Sequence, residues 1–319
     1  DGTKGWVPVE EGTGFVGETF VCATGGNVVV ESGNFKTHIF TGDGNFVVNS
    51  AASGAPNNTV DYLVVAGGGG GGSNNYGPPR GSGGGGAGGM RFFSTAPGSN
   101  HPINNSGASP NTTITVSAQT YPIVVGAFGA GAPSGSPDSG SKGNNSSFST
   151  VTSAGGGGGG GHCNMGCMDG GSGAGGRNAV TGGSGNTPPV APSQGNDGGD
   201  GAPSSGTYNG SGGGGAGGEG SDGNPQGVGG VGAYIADPFI GPTAPSYGTP
   251  GPQGSTRYFA GGGSGSPGPG GSVPAPPGGG GGAKGGTGTT NTGGGGGANS
   301  PGSGAAGGSG IVMIRYKFQ

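Results

Sequence analysis

The feature that most constrains the fold is an apolar segment running directly into glycines, which occurs at both ends of a long glycine-rich region. Residues 59–66 lead into six consecutive glycines, and a glycine-rich run ending at Gly310 leads into the apolar residues 311–316. Short apolar runs rich in Val and Ile are typical of β-strands. We therefore expect the two apolar segments to pair as strands and the intervening glycine runs to be folded. The first segment is apolar on both faces, whereas in the second Arg315 and Lys317 predict one exposed face.

The composition requires an unusual source of stability. Glycine supplies 96 and proline 26 of the 319 residues, yet charged residues are only 8% and the net charge is −4. A Gly and Pro content above roughly 25–30% is typical of disordered chains, but disorder usually also needs a high net charge. Each folded glycine costs roughly 0.5–1 kcal/mol more than alanine. With 27% hydrophobic residues, we expect backbone hydrogen bonds rather than side-chain burial to hold the glycine runs together.

Ten glycine-dominated tracts recur between the two apolar segments. They break the strict every-third-residue register that collagen needs, and segments rich in Pro, Asn, Ser and aromatic residues separate them as predicted loops. Because glycine has no side chain, neighbouring backbones could approach closely enough to form hydrogen bonds with one another, as in packed polyglycine-II helices. The tracts are residues 67–72, 83–89, 155–161, 170–176, 212–218, 227–232, 261–265, 278–286, 293–298 and 302–310.

These patterns predict a mostly irregular fold with minor β-structure and little or no α-helix. In this fold a bundle of packed polyglycine-II helices is clasped by a few antiparallel β-strands. We divide the chain into an N-terminal β-meander and attachment region, residues 1–58, and a glycine-rich domain, residues 59–319. Further short strands are predicted as a meander at residues 28–30, 35–41 and 46–48, a hairpin at 113–116 and 121–126, and a third strand at 148–152.

Several classes of function lack a sequence signal. No apolar run is long enough to cross a bilayer, so no membrane insertion is expected. The mildly acidic chain has no Lys or Arg cluster, which argues against nucleic acid as a partner. G-x-G-x-x-G recurs by chance at this glycine content and never stands between a strand and a helix. We predict no catalytic residues, no cofactor and no enzymatic activity.

One short segment contains residues that commonly bind metals. His162, Cys163, Cys167 and Asp169 offer at most three soft ligands and a carboxylate, whereas a closed zinc site uses four N or S ligands. We expect no metal site, and the alternatives for Cys163 and Cys167 are a local disulfide, two free thiols or a metal. The third cysteine, Cys22, is predicted to be a small buried residue.

Four motifs resemble the glycine-rich domain found in fibre proteins of tailed phages and marine viruses. V-D-Y-L-V-V-A-G-G-G-G at residues 60–70 resembles its opening, and H-I-F-T-G-D-G-N-F-V-V at 38–48 resembles the meander that precedes it. Y-P-I-V-V-G-A at 121–127 resembles an internal strand, although Phe128 replaces a usual glycine. G-G-S-G-I-V-M-I-R-Y at 307–316 resembles the closing strand.

The resemblance implies an extracellular location on a virion. It also implies a receptor-binding adhesin at a fibre tip, whose loops contact a protein or glycan receptor on the host cell surface. Other fibre subunits would bind through the N-terminal region. The alternatives are a structural segment of a virion fibre without a recognition role, and a cellular surface or matrix protein. No contact residue follows from the family, because the loops are its variable part.

Aromatic residues in two predicted loops, residues 91–111 and 233–259, are our candidates for receptor binding. Exposed aromatic side chains are favoured at binding surfaces because they bring contact area with few rotatable bonds. The alternative is that some of them cap the ends of the glycine bundle as a small core. The candidate residues are Phe92, Phe93, Tyr234, Phe239, Tyr247, Tyr258 and Phe259.

Overall fold

The regular elements whose bounds the structure describes are all β-strands. The computed structural model describes residues 19–52, 54–74, 81–95, 113–134, 139–161, 168–202, 209–224, 226–235, 239, 247–252, 256–268 and 271–319. The strands are β1 (Cys22–Thr24), β2 (Val28–Ser32), β3 (Phe35–Phe40), β4 (Gly44–Ser50), β5 (Thr59–Val65), β6 (Met90–Phe93), β7 (Ile114–Thr115), β8 (Thr120–Val124), β9 (Ser146–Phe148), β10 (Val151–Ser153), β11 (Ala233–Ile235), β12 (Thr249–Pro250), β13 (Arg257–Phe259) and β14 (Ile311–Lys317).

The strands form three antiparallel sheets. A central sheet has the order β2-β3-β14-β5-β6, with β7 also paired to β5. A five-stranded sheet has the order β1-β4-β8-β9-β10, and a three-stranded sheet has the order β11-β13-β12. The predicted pairing of the two apolar segments is confirmed, because β14 lies against β5 from Ile311 opposite Val65 to Arg315 opposite Asp61.

Both faces of the central sheet are covered by apolar side chains. Leu63 and Val65 on one face of β5 belong to a cluster with Ile235 and Phe259 of the three-stranded sheet. On the other face the alternate residues of β5 belong to a cluster with Phe46 and other residues of the five-stranded sheet. Burial of apolar side chains therefore contributes more to the stability of the fold than the composition predicts, because the apolar residues are concentrated in a few strands. The expectation of one exposed face on β14 is wrong, since six of its seven residues are buried.

The glycine tracts hydrogen-bond to one another through their backbones. In the tract at residues 67–72, the amide of Gly67 donates to Asn144 O over 3.0 Å, that of Gly68 to Gly308 O over 2.9 Å and that of Gly69 to Gly86 O over 2.9 Å. A Cβ atom on Gly69 would collide with the carbonyl oxygen of Gly157. Close backbone approach of this kind requires glycine.

The predicted fold class is wrong. The described residues form three antiparallel sheets, and their glycine tracts are irregular segments between strands, with no polyglycine-II helices. The physical reason is that the regular hydrogen-bond ladders form where β-branched and aromatic side chains can pack on a sheet face. The backbone groups of a glycine tract are instead shared among several neighbouring segments.

The predicted local pairings are only partly correct. β2 pairs with β3, but β4 leaves the expected meander and pairs with β1 and β8 in another sheet. The expected hairpin does not form, because β7 pairs with β5 while β8 pairs with β4 and β9. The predicted strand at residues 148–152 contains the turn between β9 and β10. Strands from both sides of the proposed boundary at residue 58 share two sheets.

Candidate functional site

Four of the seven candidate aromatic residues lie in the hydrophobic core. Phe92, Phe239 and Phe259 are completely buried, and Tyr258 is 4% exposed. Phe92 and Phe239 contact each other edge to face, with ring centroids 5.1 Å apart. Side chains buried to this degree provide no contact area for a receptor, so our interpretation of these four as a recognition surface is corrected. These four residues fit the alternative interpretation, in which aromatic side chains form part of a core.

The other three candidates are half-buried, but they do not share one surface, because Phe93 packs against the cluster on the other face of the central sheet. Phe93 lies 6.5 Å from the ring of Tyr62, and Tyr234 lies 5.5 Å from the ring of Tyr258. Tyr247 packs against the core cluster, and its carbonyl oxygen accepts a 2.8 Å hydrogen bond from Arg257 Nε. The described residues of the two predicted loops include strands β6, β11, β12 and β13, whereas residues 96–112, 236–238, 240–246 and 253–255 lie outside the described residues.

The candidate cysteine segment also lies mainly outside the described residues. His162, Cys163 and Cys167 are not described, so the three alternatives for the two cysteines stay open. Asp169 accepts a 2.7 Å hydrogen bond from the amide of Ser184. Cys22 is a free, exposed cysteine, contrary to expectation, because it occupies the outward position of β1.

Neither a metal-binding group nor a transmembrane element is found in the described part of the chain. No three His, Cys, Asp or Glu side chains in that part are grouped so that they could hold a metal ion. The same part contains no helix with the length and apolar character needed to cross a bilayer.

The described residues also form a pocket of about 210 Å³ at one end of β5 and β14. Asp61 near the start of β5 and Arg315 near the end of β14 both line it. The opposite ends of these two strands lead into glycine tracts, so the pocket lies at the end of the central sheet that is remote from them. The complete lining consists of Phe35, Pro56, Asn57, Thr59, Asp61, Thr95, Arg315, Tyr316 and Lys317.

A buried ion pair lies at this pocket. Arg315 Nη1 is 3.0 Å from Asp61 Oδ2, and each side chain is only 5% exposed. The backbone amide of Thr95 donates to the same carboxylate oxygen over 3.0 Å, and the Thr95 hydroxyl donates to it over 2.9 Å. The guanidinium carbon lies 3.6 Å from the centroid of the Phe35 ring. Hydrogen bonds and the cation–π contact offset part of the desolvation of both charges.

Burial dominates the electrostatics of this pair. Burial raises the pKa of the Asp61 carboxyl, and the hydrogen bonds from Thr95 together with the charge of Arg315 act in the opposite direction. Burial likewise lowers the pKa of the Arg315 guanidinium, against the effect of Asp61. Each charge therefore depends on the other, since loss of one partner would leave an uncompensated buried ion.

Sequence reasoning missed this pair although a signal was present. Asp61 is the one charged residue within an otherwise apolar predicted strand, and Arg315 is a charged residue in the predicted partner strand. Opposite charges on two strands that are expected to pair could have predicted a cross-strand contact. The register that places them opposite each other is set by the tertiary structure.

Comparison with known proteins gives one match. A family model described as a glycine-rich domain matches residues 41–317. The matched region begins just before β4 and ends with the last residue of β14. It therefore includes all of the glycine tracts and the central-sheet strands β5, β6 and β14, whereas β2 and β3 lie outside it. No curated protein matches the chain.

Proposed function

Because the chain belongs to the glycine-rich domain family, we propose that it is a host-attachment module of a viral fibre, and that it lies on the outside of the virion. Its partner in this proposal is a protein or glycan receptor on the host cell surface. The fibre context rests on the resemblance of residues 60–70 and 307–316 to fibre proteins. The proposed role is binding without catalysis, and other fibre subunits would contact the N-terminal region.

The observation that carries the proposal is the hydrogen-bonded glycine interior and its direct connection to the central sheet. β5 continues into the tract at residues 67–72, and the tract at residues 302–310 continues into β14. Backbone hydrogen bonds join these two tracts, for example from Gly68 to Gly308 O over 2.9 Å. A platform cross-linked in this way loses little conformational entropy when a receptor binds to its surface, which favours affinity.

The test is adsorption of the purified chain to cells of a candidate host panel. We expect saturable binding to susceptible cells and competition with virus adsorption. Replacing the three half-buried aromatics Phe93, Tyr234 and Tyr247 with serine should weaken binding. The matched control is Phe128→Ser, which removes a 52% exposed aromatic that is not among the candidate residues. Thermal unfolding must be measured for both variants, and absence of binding by the folded wild-type chain would contradict the proposal.

A structural segment of a fibre is the second candidate, and one observation favours it. Phe128 is 52% exposed and Val124 is 44% exposed, and the segment that contains them is joined to the tract at residues 67–72 by a 2.8 Å hydrogen bond from the amide of Gly129 to Gly68 O. Large apolar side chains at a surface often mark contacts between proteins. In this case the occupant would be a neighbouring fibre subunit, and Phe128→Ser should reduce assembly into fibres, as measured by sedimentation, without changing cell binding.

A further inference from the structure

One edge of the central sheet is a strand with exposed apolar side chains. β2 stands at the end of this sheet, and in the described part of the chain its one strand neighbour is β3. Val28 is 39% exposed and Val29 is 45% exposed, and as adjacent residues of a strand they point to opposite faces of the sheet. The edge therefore presents apolar surface together with backbone N–H and C=O groups with which a further strand could pair.

The strands at the other ends of the three sheets are shorter, and some are protected. Within the described residues β1, β6, β10, β11 and β12 have two to four residues, against five in β2. Pro250 in β12 has no N–H to donate, and at β6 the amide of Met90 already donates to Gln194 O over 2.8 Å. β2 contains no proline and pairs with β3 in a regular register. Its one charged residue, Glu31, lies 2.9 Å from Lys36 of β3.

The sequence of β2 is complementary to itself. In an antiparallel pair of two copies with a two-fold axis at Val29, this residue faces its own copy and Val28 faces Val30 of the second copy. Cross-strand pairs of β-branched side chains stabilise a sheet. Glu31 then lies opposite Asn27 of the second copy, so no like charges meet. An axis at Val30 would instead place Val29 opposite Glu31, which leaves a carboxylate against an apolar side chain.

We propose that β2 is an interface between two copies of this chain, which pair edge to edge about a two-fold axis at Val29 and join their central sheets into one. Two-fold dimers are the commonest closed assemblies of identical chains. A five-residue edge buries little area compared with the roughly 1,200–2,000 Å² of a stable complex, so we expect a weak dimer. The inference goes beyond the attachment function and does not depend on it.

The experiment is sedimentation equilibrium of the whole chain up to about 1 mM, a concentration at which weak contacts are populated. We expect a monomer–dimer equilibrium. Val29→Lys should raise the dissociation constant of the dimer about tenfold, because two lysines would then face each other at the axis. The matched control is Val124→Lys, which changes a valine of similar exposure, 44%, in the five-stranded sheet and should leave the dimer unchanged. A chain that stays monomeric would overturn the proposal, and so would equal effects of the two substitutions.

Mixing two variants tests the position of the axis. Val29→Lys mixed with Val29→Glu should form a heterodimer that is tighter than either homodimer, because opposite charges then face each other. This gain requires that position 29 meets its own copy and that both variants fold. If both variants unfold at the temperature of the wild type but associate no better together than separately, β2 does not pair in this way and the proposal is wrong.

Dimerisation and attachment can fail separately. A chain that adsorbs to host cells but stays monomeric would contradict this inference alone. If Val29→Lys also weakened that adsorption, the edge of β2 would pair with a strand of another protein instead of a second copy. A chain that dimerises through β2 but adsorbs to no host cell would contradict the attachment function alone.

Discussion

At the scale of single residues, a glycine in a tract and a glycine in the connection between β3 and β4 differ sharply in what a side chain would meet. A Cβ atom on Gly69 would collide with the backbone of Gly157, whereas a Cβ atom on Gly42 would have no atom within 4 Å. We expect Gly69→Ala to lower the free energy of unfolding by about 1–3 kcal/mol, as overpacking does. The matched change Gly42→Ala should be neutral or stabilise by about 0.4–1 kcal/mol, because it restricts the unfolded chain. Urea unfolding of both variants measures this, and equal effects would contradict it.

His38 is a buried histidine whose tautomer follows from its contacts. Nδ1 lies 2.7 Å from the carbonyl oxygen of Gly25 and must donate to it, so Nε2 accepts from the Tyr316 hydroxyl 3.0 Å away. Burial lowers the pKa of His38, and the neighbouring charge of Lys36 lowers it further. Burial also raises the pKa of Tyr316 to about 12, so its hydroxyl keeps the proton that it donates.

These contacts predict a pH dependence of stability. Between the lowered pKa of His38 in the folded state and its ordinary value of about 6.5, the unfolded state binds more protons than the folded state. Stability should therefore decrease as the pH falls below about 6.5, and the contribution is fully present above that value. Melting temperatures between pH 8 and pH 5 should fall less steeply for His38→Gln than for the wild type. An unchanged slope would mean that another group is responsible.

At the scale of elements, the pairing of β5 with β14 buries the ion pair between Asp61 and Arg315. Apolar side chains of similar volume could replace this pair. Asp61→Asn should destabilise the protein by about 3–5 kcal/mol, because it leaves Arg315 charged and buried without its partner. The double variant Asp61→Leu with Arg315→Met should recover most of this loss, since well-packed apolar residues avoid the desolvation of both charges. A double-mutant cycle of Asp61→Leu, Arg315→Met and the double variant, each unfolded in denaturant, measures the coupling. Additive single effects would contradict an energetic link between the two residues.

At the scale of the whole molecule, the tracts and sheets should unfold together. The amides of residues 67–72 donate to two other glycine tracts, residues 83–89 and 302–310, and to the segment at residues 141–144. The same tract continues directly from the buried strand β5. Hydrogen exchange of these amides should therefore be protected to about the same free energy as β5, as expected for one cooperative unit. The amides of Gly54 and Ala55 in an exposed turn are the internal control and should exchange rapidly. Exchange of the tract amides at the rate of that turn would contradict the cooperative unit.

The sequence predicted the structure correctly where a pattern within one short segment also reflects the burial of that segment in the folded protein. The apolar residues 60–66 predicted a strand covered on both faces, and all of these residues are buried. The aromatic candidates show the opposite case. Tyr258 and Phe259 stand in a Pro- and Gly-rich segment that is typical of loops, but pairing of β13 with β11 places them in the core. Pairing between strands more than twenty residues apart leaves no signal within either short segment.

The sequence by itself determined that two apolar strands border a long glycine-rich region and that its tracts need backbone hydrogen bonds. Those conclusions follow from properties of single residues, namely the apolar side chains of β5 and β14 and the missing Cβ of glycine. Only the tertiary structure decided the three sheets, the burial of Phe92 and Phe239 and the meeting of Asp61 with Arg315. These depend on which distant segments become neighbours, because burial and desolvation are properties of a packed arrangement and not of a residue type.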